Sequence, residues 1–254
     1  MAKRAFDGGR IFGVTHGSAP FRVLALPGWL HTSADWDGVL PGLGVGAVAL
    51  DLPGFGGATP EPEAATGSAG YAERVAPVLA DLEAPVVVVG HSFGGRVALH
   101  LAATHPDEVA ALVLTGVPNL VRRTTPAAKP PLSFRVARAL HRKGLLPDEK
   151  MEDLRRRHGS ADYRNAPSPL MRDVLVRVTN EDYEEQLRRV RCPVELVYGE
   201  HDTAATPEMA ERAKALVPDG RAELTVLPGV DHFTPVKAPD ALAAAIRKHL
   251  TVAA

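Results

Sequence analysis

The chain of 254 residues has one cysteine, Cys192, so no disulfide can form within it and no cysteine-based zinc site can be built. It lacks an excess of either charge: 29 lysines and arginines face 30 aspartates and glutamates, for a formal net charge of -1. That balance carries no global footprint for nucleic acid or for a membrane surface. No run approaches the ~18 apolar residues that a membrane span needs. No secretory leader is expected at 1–10, because Asp7, Gly8, Gly9 and Arg10 stand where its apolar core would follow Lys3 and Arg4. The expected setting is therefore cytoplasmic, with a small molecule as partner and no nucleic acid or membrane; the oligomeric state is left open. At 45% hydrophobic and 23% charged residues the composition is that of a globular protein. A chain of this length buries roughly three-quarters of its extended surface and needs no metal staple.

What is present is a rhythm. Apolar runs at 23–26, 47–50, 86–89 and 109–114 each end on a turn signal: Pro27-Gly28, Pro53-Gly54, Gly90 and Gly116. Short continuous apolar runs closed by glycine read as strands buried on both faces. Helical patterns fill the gaps at 33–40, at 71–82 with Pro77 set to interrupt it, and at 93–105. After position 190 the alternation resumes with a strand at 194–198, a helix at 207–216, a strand at 223–227 and a helix at 239–250. Pro207 and Pro239 suit first helical turns. Such alternation predicts a mostly parallel, doubly wound α/β sheet covered by helices on both faces.

Positions 119–190 break the rhythm. They hold no strand pattern and carry Pro126, Pro130, Pro131, Pro147, Pro167 and Pro169, with helices expected at 133–143, 148–158 and 170–190. The expected organisation is one domain over 1–254 with 119–190 inserted as a helical lid. Between positions 122 and 158 there are 11 lysines and arginines against Asp148, Glu149, Glu152 and Asp153, a local balance of +7 that leaves -8 for the remainder. A solvated helical face accounts for most such charge, since Arg155, Arg156 and Arg157 cannot all face one pocket. The other reading is that one or two arginines meet an anionic or carrier-bound substrate.

Gly90-His91-Ser92-Phe93-Gly94 follows the strand at 86–89 and opens the helix at 93–105, the strand–turn–helix setting of a nucleophile elbow. A serine on so sharp a turn projects its hydroxyl beyond the sheet at a helix N-terminus, where developing negative charge is favoured. With this elbow, Leu26-Pro27-Gly28-Trp29, Asp51-Leu52-Pro53-Gly54-Phe55-Gly56 and Cys192-Pro193 in order, the chain resembles the α/β-hydrolase fold superfamily over about 20–120 and 190–250. The stretch between shows no such match.

The resemblance implies a serine, an acid and a histidine in that order. Asp202 follows the strand at 194–198, and His232 follows the strand at 223–227, both at C-terminal strand ends. Glu200 and Asp231 are the rival acids. Of ten histidines, His91 is expected to pack beside Ser92, His31 to line the pocket mouth, and His100, His105, His201 and His249 to serve packing or the surface. The oxyanion donors implied are the N–H groups of Phe93 and Trp29, although Pro27 stands where many relatives have histidine. No cofactor and no metal are implied.

The resemblance therefore implies a serine hydrolase of a small carboxylic ester or related acyl compound, with Ser92, His232 and Asp202 as its triad and an acyl-enzyme intermediate. Two other readings remain. One is a lyase or carbon–carbon hydrolase using the triad as a general base; a related lyase of menaquinone biosynthesis is similar in its elbow-plus-arginine pattern, compare Gly94-Gly95-Arg96. The other is a ligand receptor without turnover. Ser92 in the nucleophile position argues against epoxide opening and halide displacement, which use aspartate there, and Phe233 argues against a hydroxynitrile lyase.

Overall fold

A computed structural model describes residues 1–122 and 131–250. Its strands are β1 (Ala2–Phe6), β2 (Ile11–His16), β3 (Phe21–Leu26), β4 (Gly46–Asp51), β5 (Val86–His91), β6 (Val109–Thr115), β7 (Val194–Gly199) and β8 (Ala222–Leu227). They form one sheet in the order β1-β2-β4-β3-β5-β6-β7-β8. The pairs β1–β2 and β2–β4 are antiparallel, and all the others are parallel.

The helices are α1 (Ser68–Val75), α2 (Phe93–Thr104), α3 (Leu132–Arg142), α4 (Asp148–His158), α5 (Ala161–Asn165), α6 (Pro169–Thr179), α7 (Glu184–Arg189), α8 (Pro207–Lys214), α9 (Thr234–Lys237) and α10 (Pro239–Arg247). No helix among the described residues is long and apolar enough to cross a membrane.

The valine-rich runs are continuous because alternate side chains enter two different cores. From β5, Val86 and Val88 pack with Tyr71 and Val75 of α1 and Val97 and Leu101 of α2, whereas Val87 and Val89 pack with Trp36 and with Leu242 and Ile246 of α10. The second face is lined by small side chains, Ala25, Ala47, Ala49 and Ala111, so α10 can lie close with Ala243 and Ala245. Cys192 is buried, and burial pushes its thiol up to about 11, which keeps it protonated at neutral pH.

Pro77 acts as its position predicts: α1 ends at Val75 and a 3₁₀ segment takes over from Ala76. Pro207 and Pro239 open α8 and α10. The pattern at 33–40 yields only a 3₁₀ turn, Ser33–Trp36. Two strands escape the sequence rhythm. β1 is exposed at four of its five positions and carries Lys3 and Arg4, as a protected sheet edge does. β2 alternates buried and half-buried residues and includes Gly13, so it presents no apolar run.

Between β6 and β7 lie α3 to α7 and no strand among the described residues. Pro126 and Pro130, with Arg123 and Lys129 of the basic stretch, lie outside them. The single helix expected at 170–190 is two, α6 and α7. The Asn180 side chain donates to the Val176 carbonyl at 2.5 Å and the Thr179 hydroxyl donates to Leu175, which occupies carbonyls of the last α6 turn. Glu181 then reaches across to the start of α1, where it accepts from the Ser68 hydroxyl at 2.5 Å and from the Ser68 N–H. An acid at a helix N-terminus meets its unpaired donors and its dipole. Met171, Val174 and Val178 of α6 join the main core, while α3 buries no residue.

Candidate active site

β5 runs straight into α2, and the residue at the junction pays no regard to ordinary backbone preference: Ser92 has φ 49° and ψ -111°. Strain of this kind persists only where the surroundings enforce it. Here they do. A Cβ on Gly90 would come within 2.5 Å of the Gly95 Cα, and one on Gly94 would come within 2.2 Å of the Leu26 carbonyl oxygen. The elbow is thus wedged against the end of β3, whose Leu26 pairs with Gly90 in register.

The loops after β7 and β8 bring an acid and a base to the same sheet edge. His232 Nε2 lies 3.2 Å from Ser92 Oγ, and His232 Nδ1 lies 2.8 Å from Asp202 Oδ2. The other Asp202 oxygen accepts the N–H groups of Ala204 and Ala205, both at 2.8 Å. Burial of Asp202 pushes its carboxyl up, but the His232 bond and the two backbone donors outweigh it and hold the group below the usual range. The loops approach closely because residue 199 is glycine: a Cβ there would meet the Val230 carbonyl oxygen at 2.4 Å. An ionised carboxylate, an imidazole and a hydroxyl in this chain can draw the hydroxyl proton toward the imidazole and steady the imidazolium that results.

The loop after β3 stands beside the elbow. Trp29 is buried, with its ring edge-on to Phe93 at 5.5 Å and to Phe55 at 4.9 Å. Pro27 leaves the turn intact, because the His31 N–H closes it onto the Gly28 carbonyl at 3.2 Å. Neither the Trp29 nor the Phe93 N–H donates a hydrogen bond among the described residues, and Phe93 is the first residue of α2, where no intrahelical acceptor exists. An oxyanion formed at a serine needs free N–H donors of this kind.

The remaining candidates sort by contact. Asp231 pairs with Lys237, and Glu200 accepts the Gly229 N–H, so neither rival acid bonds the His232 ring. His31 sits beside the array, its ring 5.6 Å from Phe233 and 6.1 Å from His91. The Asp35 carboxylate 2.6 Å away raises its proton affinity against the cost of burial. His100 packs on Tyr183 and His249 pairs with Glu195. Arg96, the arginine of the elbow-plus-arginine pattern, donates from its guanidinium to the Val178 carbonyl at 2.7 Å and lies over the Tyr183 ring, so it ties α2 to α6.

One participant has no mark in the sequence beyond its place in the elbow. His91 is fully buried, and its Nε2 donates to the His232 carbonyl at 2.9 Å. Burial, together with the nearby His232, pushes its pKa down to about 4, so it is a neutral strut at physiological pH. No group of histidine, cysteine, aspartate and glutamate among the described residues is arranged to hold a metal ion.

A model of the alpha/beta hydrolase family matches residues 23–245. An esterase of Mycobacterium tuberculosis is 44% identical over 110 residues, covering 42% of this chain and 36% of that protein. A pimeloyl-(acyl-carrier protein) methyl ester esterase of Neisseria meningitidis serogroup A is 31% identical over 220 residues, covering 75% of this chain and 64% of that protein. The chain thus spans less than two thirds of the length of either relative. The solved structure of a thermophilic esterase from Thermogutta terrifontis superposes with a TM-score of 0.66 at 23% identity, over 98% of this chain and 97% of that one, and shares the fold.

Proposed function

The chain belongs to the alpha/beta hydrolase family, and from that premise we propose that it is a serine hydrolase that cleaves a small carboxylic ester through an acyl-enzyme. One observation carries the reading: His232 bridges Ser92 and Asp202 through its two ring nitrogens. In the proposed cycle His232 Nε2 takes the Ser92 proton as Oγ bonds to the ester carbonyl carbon. The Trp29 and Phe93 N–H groups hold the oxyanion, and Asp202 stabilises the imidazolium. His232 then protonates the departing alcohol oxygen, water attacks the acyl-enzyme with His232 as base, and the carboxylic acid leaves with Ser92 restored. Neither step draws on a metal or cofactor.

Residues 119–190 serve in this reading as a lid. α6 is fixed into the main core by Met171, Val174 and Val178, while α3 rests on the outside. The substrate is an ester with negative charge near it, free or presented by an acidic carrier. Similarity to proteins named as esterases of an acyl-carrier-protein methyl ester supports this. A cytoplasmic setting completes the proposal.

A fluorophosphonate probe tests it. The expected result is a single adduct on Ser92 that is absent from Ser92→Ala; a folded wild-type protein that resists the probe overturns the reading. Intact mass during turnover then separates ester hydrolysis from general-base chemistry, since only the former accumulates an acyl group on Ser92.

A further inference from the structure

The inserted helices enclose a cleft of about 930 Å³ whose lining includes none of Ser92, His232, Asp202, Trp29 or Phe93. That volume lies near the top of the range for small-molecule sites, about 300–1,000 Å³. Helical spacing builds it. Phe134, Arg138 and Arg142 stand at i, i+4 and i+8 along α3, and Met151 and Arg155 at i and i+4 along α4, so each helix presents one face to the opening. Val176 of α6 is exposed within it, and the Phe134 ring stands edge-on to His158 at 5.6 Å.

The lining charge is positive. No carboxylate is among the residues lining the cleft, and α3 contains no acid at all; the carboxylates nearest to it stand behind the wall, Asp148 on His141 at 2.7 Å and Glu152 on the Tyr163 hydroxyl at 3.0 Å. Arg138 and Arg142 form no ion pair among the described residues. Arg155 is 3.9 Å from Glu152, whose carboxylate is held more closely by Arg172 at 3.1 Å and by Arg156 at 3.5 Å. Like charges gathered on a partly apolar wall repel one another, and an anion placed among them relieves that cost. Guanidinium forks match the paired oxygens of a carboxylate or phosphate, while the apolar residues between them offer burial to a hydrocarbon chain.

We propose that this cleft is a binding site, separate from the serine centre, for a small anionic amphiphile. Its carboxylate or phosphate head is held by Arg138, Arg142 and Arg155, and its tail lies against Phe134, Met151 and Val176. The site does not depend on which ester Ser92 attacks.

Calorimetric titration with decanoate, decyl phosphate, decanol and inorganic phosphate tests it, on the full chain and on the same protein after fluorophosphonate has blocked Ser92. At least one of decanoate and decyl phosphate is expected to bind both forms alike, and the stronger of the two identifies the head group. The variant R138Q/R142Q/R155Q, shown to be folded by an unchanged cooperative melt, is expected to bind at least about tenfold more weakly, as befits lost charge-assisted bonds. Should that variant fail to fold, the single changes R138Q and R142Q on the exposed α3 carry the same test. Binding that vanishes when Ser92 is blocked, or that survives the arginine changes, overturns the proposal. So does decanol or inorganic phosphate binding as tightly as the amphiphilic anions. Failure of Ser92 to take the probe would sink the hydrolase reading alone, because decyl phosphate binding to unlabelled protein still reports on the arginines.

Discussion

His91 Nε2 donates to the main-chain carbonyl of His232 across 2.9 Å, so the residue beside Ser92 in sequence holds the loop that carries the base. This bond needs a proton on Nε2, which the neutral and the charged ring both offer and which by itself favours the charged form; burial outweighs it and keeps the ring neutral, lowering the pKa from 6.5 to about 4. Between those values the unfolded chain binds a proton that the folded one refuses. Stability therefore falls as pH drops through that window, by roughly 3 kcal/mol in all. His91→Gln keeps a donor for the carbonyl without titrating. Urea unfolding at pH 7 and pH 4.5 is expected to show a smaller acid loss for H91Q than for the wild type, by about 2 kcal/mol. Parallel profiles would exclude His91 as the source.

Asp202 accepts from Ala204 and Ala205 through one oxygen and from His232 through the other. Asp202→Asn can keep the backbone bonds and the fold, but it removes the charge that fixes the His232 tautomer. On the proposed mechanism the expected outcome is a fall in kcat of about 10⁴-fold, with little change in KM and an unchanged melt. A loss below tenfold would show that another acid, Glu200 or Asp231, supports the base.

The strands read as apolar runs, β3 to β6, are buried on both faces almost throughout, so Val86 to Val89 form an unbroken run. β1 and β2 were not legible because an edge that faces water carries Lys3, Arg4 and Gly13 in place of a pattern. The turns that carry Ser92, Asp202 and His232 could be read because strand ends leave glycine and proline marks, and the three side chains lie within hydrogen-bond reach along that chain. The His91 bond could not, since it joins residues 141 apart through a main-chain carbonyl that no side chain announces. Nor could the Ala204 and Ala205 donors, which are backbone groups. Just past the break at Asn180, Glu181 finds its partner Ser68 more than 100 residues away, and the periodicity of 170–190 is blind to that contact.

Arg96 follows the elbow, yet its guanidinium is spent on Val178 and Tyr183. Arg96→Leu strands a buried carbonyl and removes a charged hydrogen bond, which is expected to cost about 2 kcal/mol of stability. If Arg96 only ties α2 to α6, the change alters KM for anionic and neutral esters by the same factor. A loss confined to anionic esters would return Arg96 to the substrate site.

Glu181 and Ser68 form a second tie at the same junction of α6 and α7. The carboxylate accepts the Ser68 hydroxyl, the Ser68 N–H and the Tyr183 hydroxyl, the last at 2.7 Å, while Ser68 and Tyr183 are fully buried. Glu181→Gln removes negative charge from the α1 N-terminus, and its amide must donate where an oxygen accepted; Ser68→Ala removes the hydroxyl from the same cluster. Because each change deprives the other residue of its partner, their costs are expected to fall short of additivity by about 1 kcal/mol in urea unfolding. The double variant should also become more sensitive to proteolysis near Asn180, since the junction of α6 and α7 then loses its tie to α1 and keeps those of Arg96 to Val178 and Asn119 to Thr179. Additive costs with unchanged cleavage would mean that Glu181 caps α1 and does nothing for the insertion.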